Sequence, residues 1–402
     1  MRDVAIVGGG LVGLCAALVL ARSQREVSVI EAGNFEPQPA QGLAARSIAL
    51  STSSVQIFRA LGVWASIERA AAPIRRIHVS ARGRWGVTRL RAEDYELDAL
   101  GYVVESQKLT ECLLQAVTAC AQIDLRQNAS FESIEQDDRV SISYREGDKK
   151  QRLQARLALI ADGAQSQARA ALGIGHQSVD YRQSVVISNV EVDSPRDATA
   201  YERFTEQGPL AMLPLGGRRY ACVWTVSPER ASVLDGLDDA GFMAALQDCF
   251  GYRLGLLEAV GPRFAFALQR VHADVLGKGR CVLIGNAANA LHPVAGQSFN
   301  LSLRDIACLH ELLCEQSLQD LDDATMATLV AAYQQQRARE QSQVIRYGDG
   351  LVTMFSNSLP LLDQARAAGL GLLDLVPALK AQAALTGMGL TFGGNRLLRG
   401  HL

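Results

Sequence analysis

No run in this chain approaches the ~20 consecutive apolar residues that a membrane-spanning helix needs. No basic stretch precedes the first apolar residues, so no secretory leader is expected. Charge of either sign is not in excess: 40 Lys and Arg stand against 42 Asp and Glu, a formal −2. So weak a field excludes electrostatic capture of nucleic acid. The eight cysteines (Cys15, Cys112, Cys120, Cys222, Cys249, Cys281, Cys308 and Cys314) include no C-x-x-C pair and lie mostly in apolar runs. They read as buried thiols in a reducing cytoplasm, not as metal ligands or disulfides. Internal repeats and low-complexity tracts are also missing. What remains is a chain of 402 residues, 48% hydrophobic and 20% charged, long enough for two domains and an ample core.

The stretch from Val4 to Glu31 organises the rest. Val4-Ala5-Ile6-Val7 has the composition of a buried strand. Gly8, Gly10 and Gly13 follow in G-x-G-x-x-G spacing. Gly8 suits a tight turn, Gly10 lets a pyrophosphate approach the backbone, and Gly13 lets a helix lie close on the strand. Leu14, Ala17, Leu18 and Ala21 fit that helix, whose N-terminus presents bare N–H groups and a partial positive charge to a phosphate. Glu31 ends a second strand, Val27 onward, about 20 residues further on, where a carboxylate can accept from both ribose hydroxyls. The bland alternative is a glycine turn in an α/β protein that binds nothing.

Further along, Asn34 to Gly42 reads as a loop with Pro37 and Pro39. Arg46 interrupts the apolar segment Ala44 to Leu50, where a cation suits either a phosphate or a surface salt bridge. Ser53 to Leu61 and Lys108 to Cys120 have helical spacing. Ile74 to Leu90 alternates like two strands, and Tyr102 to Glu105 and Leu153 to Ile160 read as further strands. Val185 to Val192, Leu210 to Leu215, Tyr220 to Val226 and Phe264 to Val271 form a β-rich group, broken by turns at Gly208-Pro209 and Gly216-Gly217 and by a helix over Phe242 to Phe250. Arg280 to Ile284 returns to buried-strand character. Helices are expected from Phe299 to Leu313 and over 323–345, and the tail beyond Leu351 is apolar but broken by glycine and proline. The expected fold class is α/β. A Rossmann-like nucleotide-binding domain (1–74, 101–178 and 280–345) is interleaved with a β-sheet substrate domain (75–100 and 179–279), and a helical apolar tail (346–402) follows.

Two later signals narrow the nucleotide. One is Asp162-Gly163-Ala164-Gln165-Ser166-Gln167-Ala168-Arg169 after a buried strand. The other is Gly285-Asn286, followed by Leu291-His292-Pro293-Val294-Ala295-Gly296-Gln297-Ser298 opening a helix. Taken in order with the Gly8 loop, these resemble the flavoprotein aromatic hydroxylases, whose fold is that of p-hydroxybenzoate hydroxylase. The resemblance spans Val4 to beyond Asp305. Leu283 to Ala288, Leu291 to Gln297, Asn300, Leu301, Arg304 and Asp305 are similar to the branch that hydroxylates the ring in ubiquinone biosynthesis. Ala92-Glu93-Asp94-Tyr95, Glu202-Arg203-Phe204-Thr205 and Gly208 to Pro214 are similar to members acting on a polyprenylated methoxyphenol. Asn286 stands where the wider family has Asp, and still offers an oxygen to a ribityl hydroxyl. Ser298 replaces a usual Gly.

The resemblance implies FAD as cofactor, NAD(P)H as a transient reductant and O2 as co-substrate. The implied chemistry is attack of an electron-rich phenol on a flavin C4a-hydroperoxide in a site that keeps water out. It implies cofactor contacts from Gly8, Gly10, Gly13, Glu31, Arg46, Gln107, Asp162, Gly163, Gly285, Asn286, Pro293, Gly296, Gln297, Ser298 and Asn300. Asp162 can equally serve its own turn. His292 is the catalytic candidate, against a capping or orienting role. Phe204, Leu210, Met212 and Pro214 are candidates for the ring pocket, against plain core. No second G-x-G-x-x-G is present, so no dedicated nicotinamide domain is expected. A prenylated phenol substrate, other quinone-synthesis proteins as partners, and a cytoplasmic chain touching the inner membrane through its tail complete the expectation. Ordinary helix packing of that tail competes with the last point.

Overall fold

The structure is a computed structural model that describes residues 1–35, 43, 45–84, 86–196, 198–291, 296–314, 316, 318, 322–356, 376–391 and 395–401. Residues 36–42 of the proline loop expected over Asn34 to Gly42, His292-Pro293 and most of the apolar tail, with Leu359, Leu361, Leu362 and Leu370, lie outside the described residues.

Strand β1 (Arg2–Val7) is central to the first sheet. It runs parallel to β2 (Val27–Ile30) on one side and to β11 (Lys149–Ile160) on the other. Beyond β2 lies β8 (Ile123–Arg126), and beyond β11 lies β19 (Cys281–Leu283), both parallel to their neighbours. β18 (Gly277–Lys278) closes that edge, and β9 (Ala129–Gln136) with β10 (Val140–Glu146) forms an antiparallel flap on β11. Val4, Ala5, Ile6, Val27, Val29, Leu157 and Leu159 are all fully buried. Parallel strands covered on both faces need such continuous apolar runs.

Helix α1 (Leu11–Arg22) covers one face and is buried from Gly13 to Ala21. Beside it, α4 (Ser106–Thr118) buries Leu109, Leu113 and Val117, one stripe at four-residue spacing. Each such side chain contributes about 1.5–3 kcal/mol. Helices α2 (Thr52–Ala60) and α3 (Trp64–Glu68) pack nearby, below a small antiparallel sheet of β3 (Ser47–Ser51), β7 (Gly101–Glu105) and β4 (Ala71–Ile74). α5 (Gln167–Ala171) follows β11.

The large second sheet has the order β20-β17-β12-β15-β14-β13-β5-β6. Its strands are β5 (Arg76–Ala81), β6 (Val87–Arg91), β12 (His176–Val192), β13 (Thr199–Thr205), β14 (Gly208–Pro214), β15 (Arg219–Val226), β17 (Phe264–Ala273) and β20 (Asn289–Ala290), with β16 (Leu257–Val260) beside β12. One face carries α6 (Pro228–Asp235) and α7 (Asp239–Phe250) over a core of Val186, Leu210, Met212, Cys222, Trp224, Phe242 and Leu246. Gly208-Pro209, expected as a turn, opens β14 instead, and the reversal falls at Glu206-Gln207. Helix α6 was not expected, although Ser227 caps it and Pro228 occupies its first turn, a recognisable start. β12 begins at His176, nine residues before the expected Val185, in a polar stretch with no apolar alternation.

Helices α8 (Gln297–Cys314) and α9 (Asp323–Ser356) pack together through a buried ionic cluster. Arg304 pairs with Glu340. Arg337 pairs with Glu340 and, at 2.6 Å, with Asp305, which also accepts from Gln341 at 3.2 Å. The expected helix over 323–345 is this α9, extended to Ser356. The tail helix α10 (Pro377–Gly387) lays Ala384, Leu385 and Met388 against Ile77, Leu90, Leu97 and Leu100. Among the described residues, no helix is long and apolar enough to cross a membrane.

Candidate active site

The carboxyl ends of four parallel strands meet at one place. Gly8 N donates to Ile30 O at 2.9 Å, Ala161 N to Val7 O at 2.7 Å, and Ile284 N to Ile160 O at 3.0 Å. These bonds bring the Gly8 loop, Glu31, the Asp162 turn and the Gly285 turn side by side. β1 is the strand from which the chain order runs both ways, and ligands of open parallel sheets bind at the carboxyl end of such a switch point.

The glycines divide by what surrounds them. Gly8 has φ +102°, and a Cβ there would lie 2.6 Å from the Ala161 carbonyl carbon. A Cβ on Gly13 would strike the Gly8 carbonyl oxygen, so this glycine sets the distance between helix and strand. A Cβ on Gly10 would meet nothing within 4 Å. Gly10 is also the N-cap of α1, with no side-chain cap and no acid in the first turn, so the helix offers its free N–H groups outward. Glu31 accepts from Gly9 N at 2.6 Å and Gly33 N at 2.8 Å. Each carboxylate oxygen keeps further lone-pair capacity for a ribose hydroxyl.

Asp162 Oδ2 accepts from Ala168 N at 3.1 Å, while its Oδ1 is buried without a hydrogen-bond partner among the described residues. Gly163, at φ +91°, borders open space. Arg169, which was not among the expected site residues, is buried and ties two motifs together. It donates to Ala164 O at 3.0 Å and to Ala287 O at 2.8 Å. Its place at the end of the Asp162 motif was the signal for it. Gly285 (φ +64°) lies against Val12, and Asn286 Oδ1 accepts from Ser298 Oγ at 3.2 Å, joining the Gly285 turn to the start of α8. Gly296, at φ +59°, lies against Ala49, and Gln297 reaches Gly387 O at 3.4 Å.

Asn300 is nearly fully buried, and the protein uses its whole amide. Its Oδ1 accepts from Ser51 N at 2.8 Å and Ser54 Oγ at 2.7 Å, and its Nδ2 donates to Ala49 O at 3.0 Å and Gly296 O at 2.7 Å. It therefore positions the 296–298 segment against β3. Gln107 is likewise engaged locally, with Glu111 at 3.2 Å. Arg46 stacks its guanidinium over Phe264 and Phe266, at 4.6 and 5.0 Å from the ring centroids.

The residues considered for the ring pocket fall on opposite faces of the second sheet. Leu210 and Met212 lie in the core under α6 and α7, and Pro214 stands opposite Tyr220 of that same core. Residues directly opposite in a sheet share a face, so these three point away from the strand-end site. Phe204 has the other parity and points to the face that meets the first sheet's elements. On that face Asn189 reaches Ala45 O, and Ile74 and Val103 pack with Ala200.

This arrangement fits FAD: a cradle that a Cβ on Gly10 would enter, a ribose-ready carboxylate, a buried carboxylate oxygen without a partner, and an uncapped helix. Comparison with known proteins agrees. Residues 1–347 match the FAD binding domain family. The chain belongs to that family. It is 33% identical to the ubiquinone hydroxylase UbiL of Rhodospirillum rubrum, over all of this chain and 93% of that one. It is 32% identical to the 3-demethoxyubiquinol 3-hydroxylase of Escherichia coli, over 96% and 98%. The crystal structure of p-nitrophenol 4-monooxygenase PnpA from Pseudomonas putida superposes with a TM-score of 0.79, covering 97% and 98% at 18% identity. The fold is that of p-hydroxybenzoate hydroxylase.

Proposed function

We propose that this protein is an FAD-dependent monooxygenase that hydroxylates the aromatic ring of a polyprenylated phenol in ubiquinone biosynthesis, using NAD(P)H and O2. The observation that carries the reading is the full-length similarity to two ring hydroxylases of ubiquinone-type substrates, joined to a strand-end site shaped for FAD. When bound, FAD supplies the chemistry that takes reducing equivalents from NAD(P)H and delivers one oxygen atom of O2 to the ring.

The chain's own residues do the rest. Gly8, Gly10 and Gly13 with the α1 N-terminus hold the pyrophosphate, and Glu31 holds the adenosine ribose. Asp162 and Gly163 line the cofactor next to them, with Arg169 fixing that turn against Ala287. Gly285, Asn286 and Ser298 receive the ribityl side. The start of α8 has no acid in its first turn, so its partial positive charge favours negative charge on the cofactor edge. Asn300 keeps this segment in place. Phe204 and its neighbours on the same face hold the ring in apolar surroundings that exclude water. The apolar edge where α10 meets Ile77 and Leu90 lies beside that face and suits a prenyl chain. The same tail supports contact with the inner-membrane surface or with other quinone-synthesis proteins.

The test is mass spectrometry of prenylated lipids in cells lacking the protein. Build-up of a 2-polyprenyl-6-methoxyphenol, with loss of ubiquinone and recovery on complementation, is the expected result. The Escherichia coli relative supports a second reading, in which the hydroxyl enters a demethoxyubiquinol ring. Build-up of that species instead keeps the reaction and moves the position. Unchanged ubiquinone refutes both.

A further inference from the structure

Residues 75–91 hold six arginines (Arg75, Arg76, Arg82, Arg84, Arg89 and Arg91) and no Asp or Glu, in a chain whose formal net charge is −2. They span the hairpin β5–β6, the edge of the second sheet. Its register divides two faces. Ile77 and Leu90 stand opposite one another on the inner face and pack against the tail helix α10. Arg76 opposite Arg91, and His78 opposite Arg89, take the outer face. Strand β13 continues these rows, with Tyr201 beside His78 and Arg203 beside Ser80. Tyr201 meets Phe250 at the end of α7, ring centroids 5.5 Å apart, and past it the face opens: Arg76, Arg89 and Arg91 are exposed.

Positive charge gathers on this outer face. Arg253, from the loop after α7, donates to the His78 ring, with Nη1 3.0 Å from Nδ1. Burial and then the Arg253 charge push His78 down to about 4, so the ring is a neutral acceptor and brings no negative charge. Arg203 Nε is buried without a hydrogen-bond partner among the described residues, and burial with the like charges of Arg253 and Arg82 pushes its guanidinium down. The pairs Arg76–Glu93, at 3.7 Å, and Arg82–Asp248, at 2.8 Å, join exposed side chains, and such pairs contribute little. Like charges held together disfavour one another and are relieved by an anionic partner. One or two charges suffice to keep an edge strand from pairing with another chain. Arg203 and Arg253 are not on that edge strand and answer a different demand. The loop that supplies Arg253 also carries Tyr252 and Leu256, 71% and 55% exposed. Such side chains enter the headgroup region of a bilayer.

We propose that the outer face of the β5–β6 hairpin, with Arg203 and Arg253, is a docking surface for an anionic phospholipid bilayer. The inference deepens the reading of function above and rests on it for a substrate whose prenyl chain is held in lipid. Guanidinium forks match the oxygens of lipid phosphates, and Tyr252 and Leu256 enter among the headgroups. Docking by this face sets Ile77, Leu90 and α10, on the inner face of the same two strands, one sheet thickness from the lipid. That apolar edge is a short route for a prenyl chain between bilayer and ring site. An acidic protein would satisfy the arginines, but it would neither use Tyr252 and Leu256 in this way nor bring the substrate.

The test sediments the full-length, FAD-loaded protein with vesicles of phosphatidylcholine, alone or with about one third phosphatidylglycerol, at low and high salt. Wild type is expected to bind the anionic vesicles, to leave them as salt rises, and to bind the neutral ones far less. Each arginine near an anionic surface strengthens binding about fivefold. The combined variant Arg76→Gln, Arg89→Gln, Arg91→Gln is therefore expected to bind roughly 10²-fold more weakly, and Arg76→Lys, Arg89→Lys, Arg91→Lys to keep most of the binding. The glutamine variant is expected to retain FAD, which reports that it is folded, and to oxygenate a short-chain soluble phenol like wild type while losing activity on a prenylphenol held in anionic vesicles. Equal binding to neutral and anionic vesicles, binding to neither, or wild-type binding by the glutamine variant overturns the docking surface. If wild type docks on anionic vesicles in this salt-dependent way but oxygenates no prenylphenol, the functional reading falls and the docking surface stands.

Discussion

Gly10 and Gly13 give a direct test of which glycine serves the cofactor and which serves the fold. A Cβ on Gly10 meets no atom within 4 Å, and the residue has φ −62° and ψ −179°, a conformation open to alanine. Gly10→Ala therefore costs the apoprotein less than about 1 kcal/mol, the ordinary loss at an N-cap. The added methyl instead fills the space in front of the α1 N–H groups. Overpacking costs of about 1–3 kcal/mol there translate into roughly 5- to 150-fold weaker FAD binding. Gly13→Ala behaves differently. Its Cβ would run into the Gly8 carbonyl oxygen, a backbone atom that cannot swing aside. The strain, about 3 kcal/mol, exceeds the gain of up to about 1 kcal/mol from better helix propensity. G13A should therefore lower apoprotein stability as well as FAD affinity. Urea unfolding of the apoproteins and titration with FAD by quenching of its fluorescence measure the two effects separately. The reasoning is refuted if G10A binds FAD like wild type, or if it destabilises the apoprotein as much as G13A.

Asn300→Leu removes four hydrogen bonds and strands the buried Ser51 N–H; at about 1–3 kcal/mol for a buried group left unsatisfied, unfolding in urea should shift clearly, with FAD retention falling in parallel. Glu340→Gln breaks the ionic cluster between α8 and α9 and should cost about 3–5 kcal/mol at neutral pH. Burial pushes the Glu340 carboxyl up, but Arg304 and Arg337 together outweigh it and hold the group below its ordinary value. Its stabilising effect is thus present above the unfolded carboxylate range near 4 and lost as pH falls through the folded value, so acid unfolding of E340Q should be less steep than that of wild type. Five of the eight cysteines are buried, and burial pushes Cys281 and Cys308 up to about 12; a thiol reagent should modify at most Cys112, Cys120 and Cys314 in the native protein and the other five only on unfolding.

The elements legible in the sequence are those whose signals are local. β1, α1 and β2 were readable from composition, glycine spacing and helical periodicity, because each residue's role is set within one supersecondary unit. The Asp162 and Gly285 turns were readable because each ends a short apolar run, and the strands they end pair in parallel as buried runs do. What local signals do not carry is which face of a strand looks where. Leu210, Met212 and Phe204 are all apolar and all on strands, yet only Phe204 lies on the face away from α6 and α7. Alternation reveals two faces, and only the packing of α6 and α7 decides which is core. Three of the four bonds of Asn300 and the bridge from Arg169 to Ala287 join residues 118 to 251 positions apart. No spacing rule encodes such partners, although Arg169 sat in a motif already noticed. The start of β12 was hidden for the opposite reason: its first residues are polar and exposed, and their strand conformation comes from pairing with β17.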